Sequence, residues 1–282
     1  FPGQFKNWFY SLLVMATVLK NAPPFKTVLG FASLMDEKGN IMHKSAGNMI
    51  EFNEGADKIG VDVMRWMYAI QNPYDNLLFG YQKSDETRRR FHLMLWNIYS
   101  FFVTYYKLGN YNLKTKSTHI LDQWILAKLS QLIVIATESL DKYNAQTAAV
   151  EIEKFVSDLS TWYIRRSRDR MNDEFFSTCH DVLVTLCKLL APFTPFIAEE
   201  MYKNLTGNES VHLADWPKAK KLEKLASQEQ LLRDQMETVR KICELGHAKR
   251  KENNIKVRQP LGEFSIFNFR FSINDQLEQI IR

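Results

Sequence analysis

The chain has 282 residues, 45 % of them hydrophobic, and carries a net charge of +5 with a pI near 8.9. That length suits two globular domains, and the modest positive balance permits a nucleic-acid partner without demanding one. The sequence holds no apolar run approaching the roughly 20 residues that span a bilayer, and no secretory leader pattern.

Three cysteines, Cys179, Cys187 and Cys243, form no C-x-x-C pair. This spacing argues against a disulfide framework and a zinc site, and fits a reducing cytoplasm. Cys179 and Cys187 stand in an apolar helical pattern, where buried free thiols are the simplest reading. The expectation is a cytoplasmic, monomeric protein with no membrane attachment and no protein-bound metal. A start at Phe1 rather than Met reads as part of a longer protein.

In chain order, Trp8, Phe9, Leu12, Leu13, Ala16 and Leu19 recur at three- and four-residue steps and predict a helix from Phe5 to Lys20, ended by Pro23-Pro24. An apolar, β-rich stretch from Phe25 to Leu34 predicts a strand. It leads into a polar loop from Asp36 to Ile50, with turn formers at Asp36, Gly39, Asn40 and Gly47-Asn48. The loop carries Lys44 between His43 and Ser45. An ammonium beyond the carboxyl end of a strand suits a phosphate-rich ligand in a doubly wound sheet domain, although such a pair in a polar loop is commonly just solvated surface.

Asp62 is placed to cap a helix over Val63–Gln71, within reach of Arg65. Asn76 to Tyr81 reads as irregular. Ser84 can cap a long helix from Asp85 to about Lys107, and further helices follow at about 118–142, 144–170, 174–190, 195–205 and 226–253. Residues 85 to about 253 therefore read as an antiparallel helical bundle. Phe264, Ile266, Phe267, Phe269, Phe271 and Ile273 partly alternate and predict short strands within 256–271. The fold class expected is mainly α: the end of a Rossmann-like domain, a helical bundle and short C-terminal strands. The domain boundaries expected are 1–80, 81–253 and 254–282.

Ile41-Met-His-Lys-Ser-Ala-Gly-Asn48, followed by Gly60-Val-Asp-Val-Met-Arg65, resembles the second signature of class I aminoacyl-tRNA synthetases, Lys-Met-Ser-Lys-Ser with a downstream Gly-Ala-Asp-x-x-Arg. Three further stretches resemble isoleucyl-tRNA synthetases in particular. They are Gln4-Phe-Lys-Asn-Trp-Phe-Tyr10, Leu159-Ser-Thr-Trp-Tyr-Ile-Arg-Arg-Ser-Arg-Asp-Arg170 and Asn254-Ile-Lys-Val-Arg-Gln-Pro-Leu261. The resemblance implies a catalytic role for Lys44, with Met42, His43, Lys44 and Ser45 at ATP. It also implies that Gln4 and Trp8 line an isoleucine and adenylate pocket.

It further implies that Trp162, Arg165, Arg166, Arg168 and Arg170 meet tRNA. On a continuous helix these arginines would make two adjoining basic ridges. An internal brace pairing them with Asp158, Asp169 or Asp173 is the alternative. The basic run His247–Arg258 is a further phosphate-contact candidate. The resemblance implies ATP, with its Mg2+, isoleucine and tRNA as partners of the whole ligase.

The sequence departs from the family pattern at Ile41 for the first lysine, His43 for the first serine and Gly3 for an aspartate. Lys6-Asn7 stands where the family has Arg-Gly. The first class I signature, His-x-Gly-His, occurs at none of the six histidines. The chain by itself is therefore expected to be inactive. A non-catalytic tRNA-binding module or paralogue is the competing reading.

Overall fold

The computed structural model describes residues 5–109, 111–219, 223–263, 265 and 275–281. Gly3 and Gln4 lie outside them, as does nearly all of the 264–274 stretch expected to form strands. Within 256–263 the backbone makes turns and no strand. The chain is mainly α-helical. In order come a single π turn at Phe5–Phe9, α1 (Tyr10–Lys20), β1 (Leu34–Met35), α2 (Phe52–Ile59), α3 (Val61–Ile70), β2 (Leu77–Leu78) and α4 (Tyr81–Thr87). Then follow α5 (Leu93–Leu108), α6 (Ile120–Asp141), α7 (Ala145–Asp158), α8 (Asp173–Leu190), α9 (Pro195–Thr206), α10 (Glu223–Glu252) and α11 (Asp275–Ile281).

The chain forms two compact units. One comprises residues 1–97, 135–154 and 187–215; the other comprises 98–134, 155–186 and 216–282. Four of the five divisions fall inside α5, α6, α7 and α8, and the fifth falls in the stretch between α9 and α10.

In the first unit, the expected strand over Phe25–Leu34 shrinks to Leu34–Met35, which pairs in parallel with Leu77–Leu78. Val28, Leu29 and Phe31 are exposed. β-propensity becomes a strand only where a neighbour completes the hydrogen-bond ladder. Here that neighbour begins at residue 76: Asn76 Oδ1 accepts from Ser33 N–H at 2.9 Å, and Ser33 C=O accepts from Leu77 N–H at 3.1 Å. The stretch read as irregular thus supplies the second strand. Ile59, Val63, Met64, Met67 and Phe79 form the core beneath, with Leu34, Met42 and Ile50 packed against it.

Two caps differ from the local reading. Asp62 lies inside α3 and gives its own helix no side-chain cap. Its carboxylate instead accepts from Phe196 N–H (3.3 Å) and Ile197 N–H (2.7 Å), capping α9. Burial pushes its pKa up against the lowering effect of those bonds. Arg65, one turn on, donates to the Pro192 and Phe193 carbonyls at 2.7 and 3.0 Å rather than pairing with Asp62. Ser84 is buried within α4, its hydroxyl bonded to Gly80 C=O. Trp66 completes this packing: fully buried, it stacks on Phe91 at 3.8 Å and donates its indole N–H to Glu153 at 3.2 Å.

In the second unit, Phe102, Tyr111, Phe175 and Phe176 build an aromatic core beside Tyr163. Helices α10 and α11 pack together, burying Met236, Val239 and Leu277. Contrary to the sequence reading, α6, at 22 residues, is long and apolar enough to cross a bilayer by length and composition, but more than half of its apolar stretch is buried in protein. Its third residue, Asp122, is fully buried and paired within the protein. Cys179 and Cys187 are buried free thiols, and burial raises both, Cys187 to about 12.

Candidate functional site

The polar loop of the first unit is built on Asp36. Its carboxylate accepts from the backbone N–H of Lys38 (3.0 Å) and Asn40 (2.8 Å), and from the side-chain amide of Asn48 (3.0 Å). These bonds, that from Asn48 foremost, hold the carboxyl down at about 2. The Asn48 amide also donates to Ile41 C=O at 3.1 Å, while its oxygen accepts from His43 N–H at 3.0 Å. An antiparallel bridge between Met35 and Ile41 closes the hairpin. Both ends of the Ile41–Asn48 segment are therefore clasped by two short polar side chains.

Between those ends, Lys44, Ser45 and Ala46 make one 3-10 turn, closed by Gly47 at φ +68, a conformation glycine adopts without a Cβ clash. His43, Lys44 and Ser45 are exposed, and Lys44 makes no ion pair among the described residues. Met42 points the other way, into the core cluster, and so anchors the loop from below. Ile41 is 59 % exposed and offers no charge. The arrangement presents one unneutralised ammonium beside a hydroxyl on a rigidly held turn, a geometry suited to polyanionic oxygens. Trp8, 63 % exposed, stacks on Phe9.

The arginine segment of the second unit is not one helix. A π turn spans Leu159–Ile164, the chain turns at the buried Ser167, and Arg168–Arg170 is a 3-10 turn. The two expected ridges do not form, because the tighter turn carries Arg170 inward. There Asp122, fully buried, takes both guanidinium nitrogens, Nη1 at 2.8 Å, together with the hydroxyls of Tyr163 and Ser117, each at 2.5 Å. Burial opposes the Arg170 charge, yet the Asp122 carboxylate outweighs that penalty and the net shift is upward.

The brace weighed from sequence exists, but with a different carboxylate. Asp158 is taken by Lys128 and Arg240, the latter at 2.7 Å, and Asp173 accepts from Asn112 N–H at 3.1 Å. Arg165, Arg166 and Arg168 stay exposed. Trp162, half-buried, lies between two guanidinium groups, Arg166 at 5.8 Å and Arg240 at 5.4 Å from its ring centre. Cation–π contact of this kind positions an arginine without spending its hydrogen-bond donors. In the basic run, Arg250 ties down the following turn through the Lys256 and Gln259 carbonyls.

Residues 122–265, just over half of the chain, match the anticodon-binding domain of tRNA ligases. The chain belongs to that family. Its residues 3–78 match class I tRNA synthetases (I, L, M and V), so the clasped Lys44 loop and the arginine segment fall in different family regions. Isoleucine–tRNA ligases from Dehalococcoides mccartyi (strain CBDB1), Clostridium novyi (strain NT) and Deinococcus radiodurans are 40 %, 38 % and 38 % identical, over 93 %, 94 % and 92 % of this chain. The chain spans about a quarter of the length of these relatives: 27 %, 28 % and 25 %. Among solved structures, the LeuRS–tRNA–LeuAMS ternary complex from Agrobacterium radiobacter K84 aligns with a TM-score of 0.61, over 77 % of this chain and 27 % of that one. At 16 % identity that likeness is one of fold.

Sequence reasoning named Lys44 and the arginines but missed Asp36, Asn48, Asp122, Lys128 and Arg240. Asp36 and Asn48 had a signal, since both are turn formers flanking the loop. Asp122, Lys128 and Arg240 had none, because their partners lie 48, 30 and 82 residues away.

Proposed function

We propose that this chain is part of an isoleucine–tRNA ligase, contributing the loop that closes over ATP and a helical domain that meets tRNA. The observation that carries this reading is Lys44, unpaired and exposed on a turn clasped by Asp36 and Asn48, inside a stretch matching class I synthetases. In the activation step the isoleucine carboxylate oxygen bonds to the α-phosphorus of ATP. The bond from that phosphorus to the bridging oxygen breaks, and pyrophosphate leaves with the electron pair. Negative charge builds on the β- and γ-phosphates, where an ammonium stabilises the transition state more than the ground state. With Ile41 in place of the first signature lysine, Lys44 carries that load as the one lysine left of the signature pair. Mg2+ accompanies ATP as part of the substrate. The adenylate then passes its isoleucyl group to tRNA.

We assign tRNA phosphate contact to Arg165, Arg166 and Arg168, with Trp162 positioning Arg166 and with Arg170 bracing the fold. The whole ligase is read as a cytoplasmic monomer. The test is Lys44→Ala in the full-length ligase, followed by isoleucine-dependent ATP–pyrophosphate exchange. The expected result is a loss of about 100- to 1000-fold in kcat with a much smaller change in the KM for ATP. An equal change in both terms, or none, overturns the assignment.

A further inference from the structure

The Lys44 loop is fixed internally by Asp36 and rests on the core through Met42, but its strand pairing to the rest of the first unit is short. β1 and β2 pair over only two residues each, Leu34 with Leu77 and Met35 with Leu78. The ladder bonds are Leu77 N–H to Ser33 C=O at 3.1 Å and Phe79 N–H to Met35 C=O at 2.8 Å, the latter just before Gly80.

Glu37 supplies a second point of attachment. It sits in the turn between Asp36 and Gly39, and its side chain lies over Gly80. A Cβ on Gly80 would fall 2.2 Å from Glu37 Cγ and 2.3 Å from Cδ. Gly80 is in extended backbone that any residue adopts, so a side chain there would act by displacing the Glu37 carboxylate and not through the dihedral angles. The carboxylate reaches past Gly80 and accepts from Lys83 N–H at 2.7 Å. Lys83 is the third residue of α4, one of the N–H groups that no intrahelical carbonyl can satisfy. Gly80, the residue at the N-cap position, has no side chain to do so. Glu37 thus caps, from 46 residues away, a helical run that continues through Arg88–His92 into α5.

We propose that Glu37 is a positioning residue for the Lys44 loop: by capping α4 across Gly80 it pins the hairpin at the angle from which Lys44 meets the phosphates. The proposal rests on the reading of Lys44 as a phosphate-binding cation. Glu37 touches no substrate itself. Its loss leaves the Asp36–Asn48 clasp and the Met42 anchor intact and the loop folded, but removes the contact that fixes its angle to α4.

The experiment uses the full-length ligase and compares Glu37→Ala, Glu37→Gln, Gly80→Ala and the Glu37→Ala/Gly80→Ala double variant. Pyrophosphate exchange gives kcat and the KM values for ATP and isoleucine, thermal unfolding runs in parallel, and Lys44→Ala serves as reference. The loss of one cap corresponds to about a 3- to 10-fold fall in kcat for Glu37→Ala, with the KM for isoleucine nearly unchanged. Glu37→Gln keeps an acceptor oxygen and stays within about twofold of the parent. Gly80→Ala expels the Glu37 side chain and reproduces the Glu37→Ala loss. The double variant is no worse than either single one, since the clash and the cap vanish together. A normal kcat in Glu37→Ala, losses that multiply in the double variant, or a Gln variant as poor as Ala each overturns the proposal. So does a loss that follows the fall in melting temperature and appears equally in both KM values. If Lys44→Ala also exchanges normally, the phosphate reading falls rather than the Glu37 lock alone.

Discussion

Lys44 and Arg170 are both cations inside recognisable sequence stretches, and the fold treats them in opposite ways. In the loop region, polar groups are satisfied by neutral amides and by the Asp36 and Glu37 carboxylates turned onto backbone N–H groups, which leaves Lys44 in solvent. In the arginine region a buried carboxylate, Asp122, must be neutralised, and it takes the guanidinium at the end of the run. An isolated buried charge costs far more than a surface cation gains. The lesson is that a basic motif divides according to where the nearest buried acid lies. Arg170 answers to stability, while Lys44, Arg165 and Arg168 remain available to a ligand.

That contrast can be broken most severely at Arg170. Arg170→Ala strands Asp122 with only two hydroxyl donors, and the expected cost is about 3–5 kcal/mol of folding stability, measured by denaturant unfolding. Lys44→Ala in the same assay changes stability by less than about 0.5 kcal/mol. Equal losses in the two variants would erase the distinction between brace and ligand cation.

A smaller effect comes from a buried group that has no such partner. His92 packs edge-on against Trp66 and Phe91, with the Asp62 backbone the one neighbour that favours its charged form. Burial, helped by the nearby Arg88 charge, lowers its pKa to about 4. The folded form therefore keeps His92 neutral, while the unfolded chain takes up a proton below about 6.5. This contribution is complete above pH 6.5 and is lost as the pH falls toward 4. Stability should drop by about 2 kcal/mol between pH 7 and 5, above the range where most carboxylates titrate. His92→Phe should flatten that slope, and an unchanged slope in the variant would show that other groups produce it.

The smallest expected effects are at the exposed arginines, and they sharpen the comparison most directly. Arg165→Ala and Arg168→Ala should each leave stability within about 0.5 kcal/mol. Each should reduce the slope of log affinity for tRNA against log salt by about one, as one phosphate contact is lost. Arg166→Ala should do the same while also releasing Trp162 from one of its two cation contacts. A full salt slope in all three variants would take this segment off the RNA interface and leave the 247–258 run as the candidate.

The residues alone were enough for the mainly helical class, most helix positions, the Lys44 loop and the family, because these depend on local periodicity, turn formers and short ordered motifs. Helices α8 and α9 start and stop within a residue or so of the positions their capping and proline signals indicate. Tertiary structure decided everything that depends on which polar group meets which. Asp62 reads locally as the cap of its own helix, yet it caps α9, 134 residues on. Phe25–Leu34 has the composition of a strand, but only its last residue finds a partner ladder. Arg170 had three plausible acids close in sequence and pairs with a fourth on another helix. Glu37 carries no sequence signal at all until Gly80 is seen beneath it. A carboxylate or a strand edge has many chemically acceptable partners, and only the folded chain, by satisfying all buried groups together, selects one.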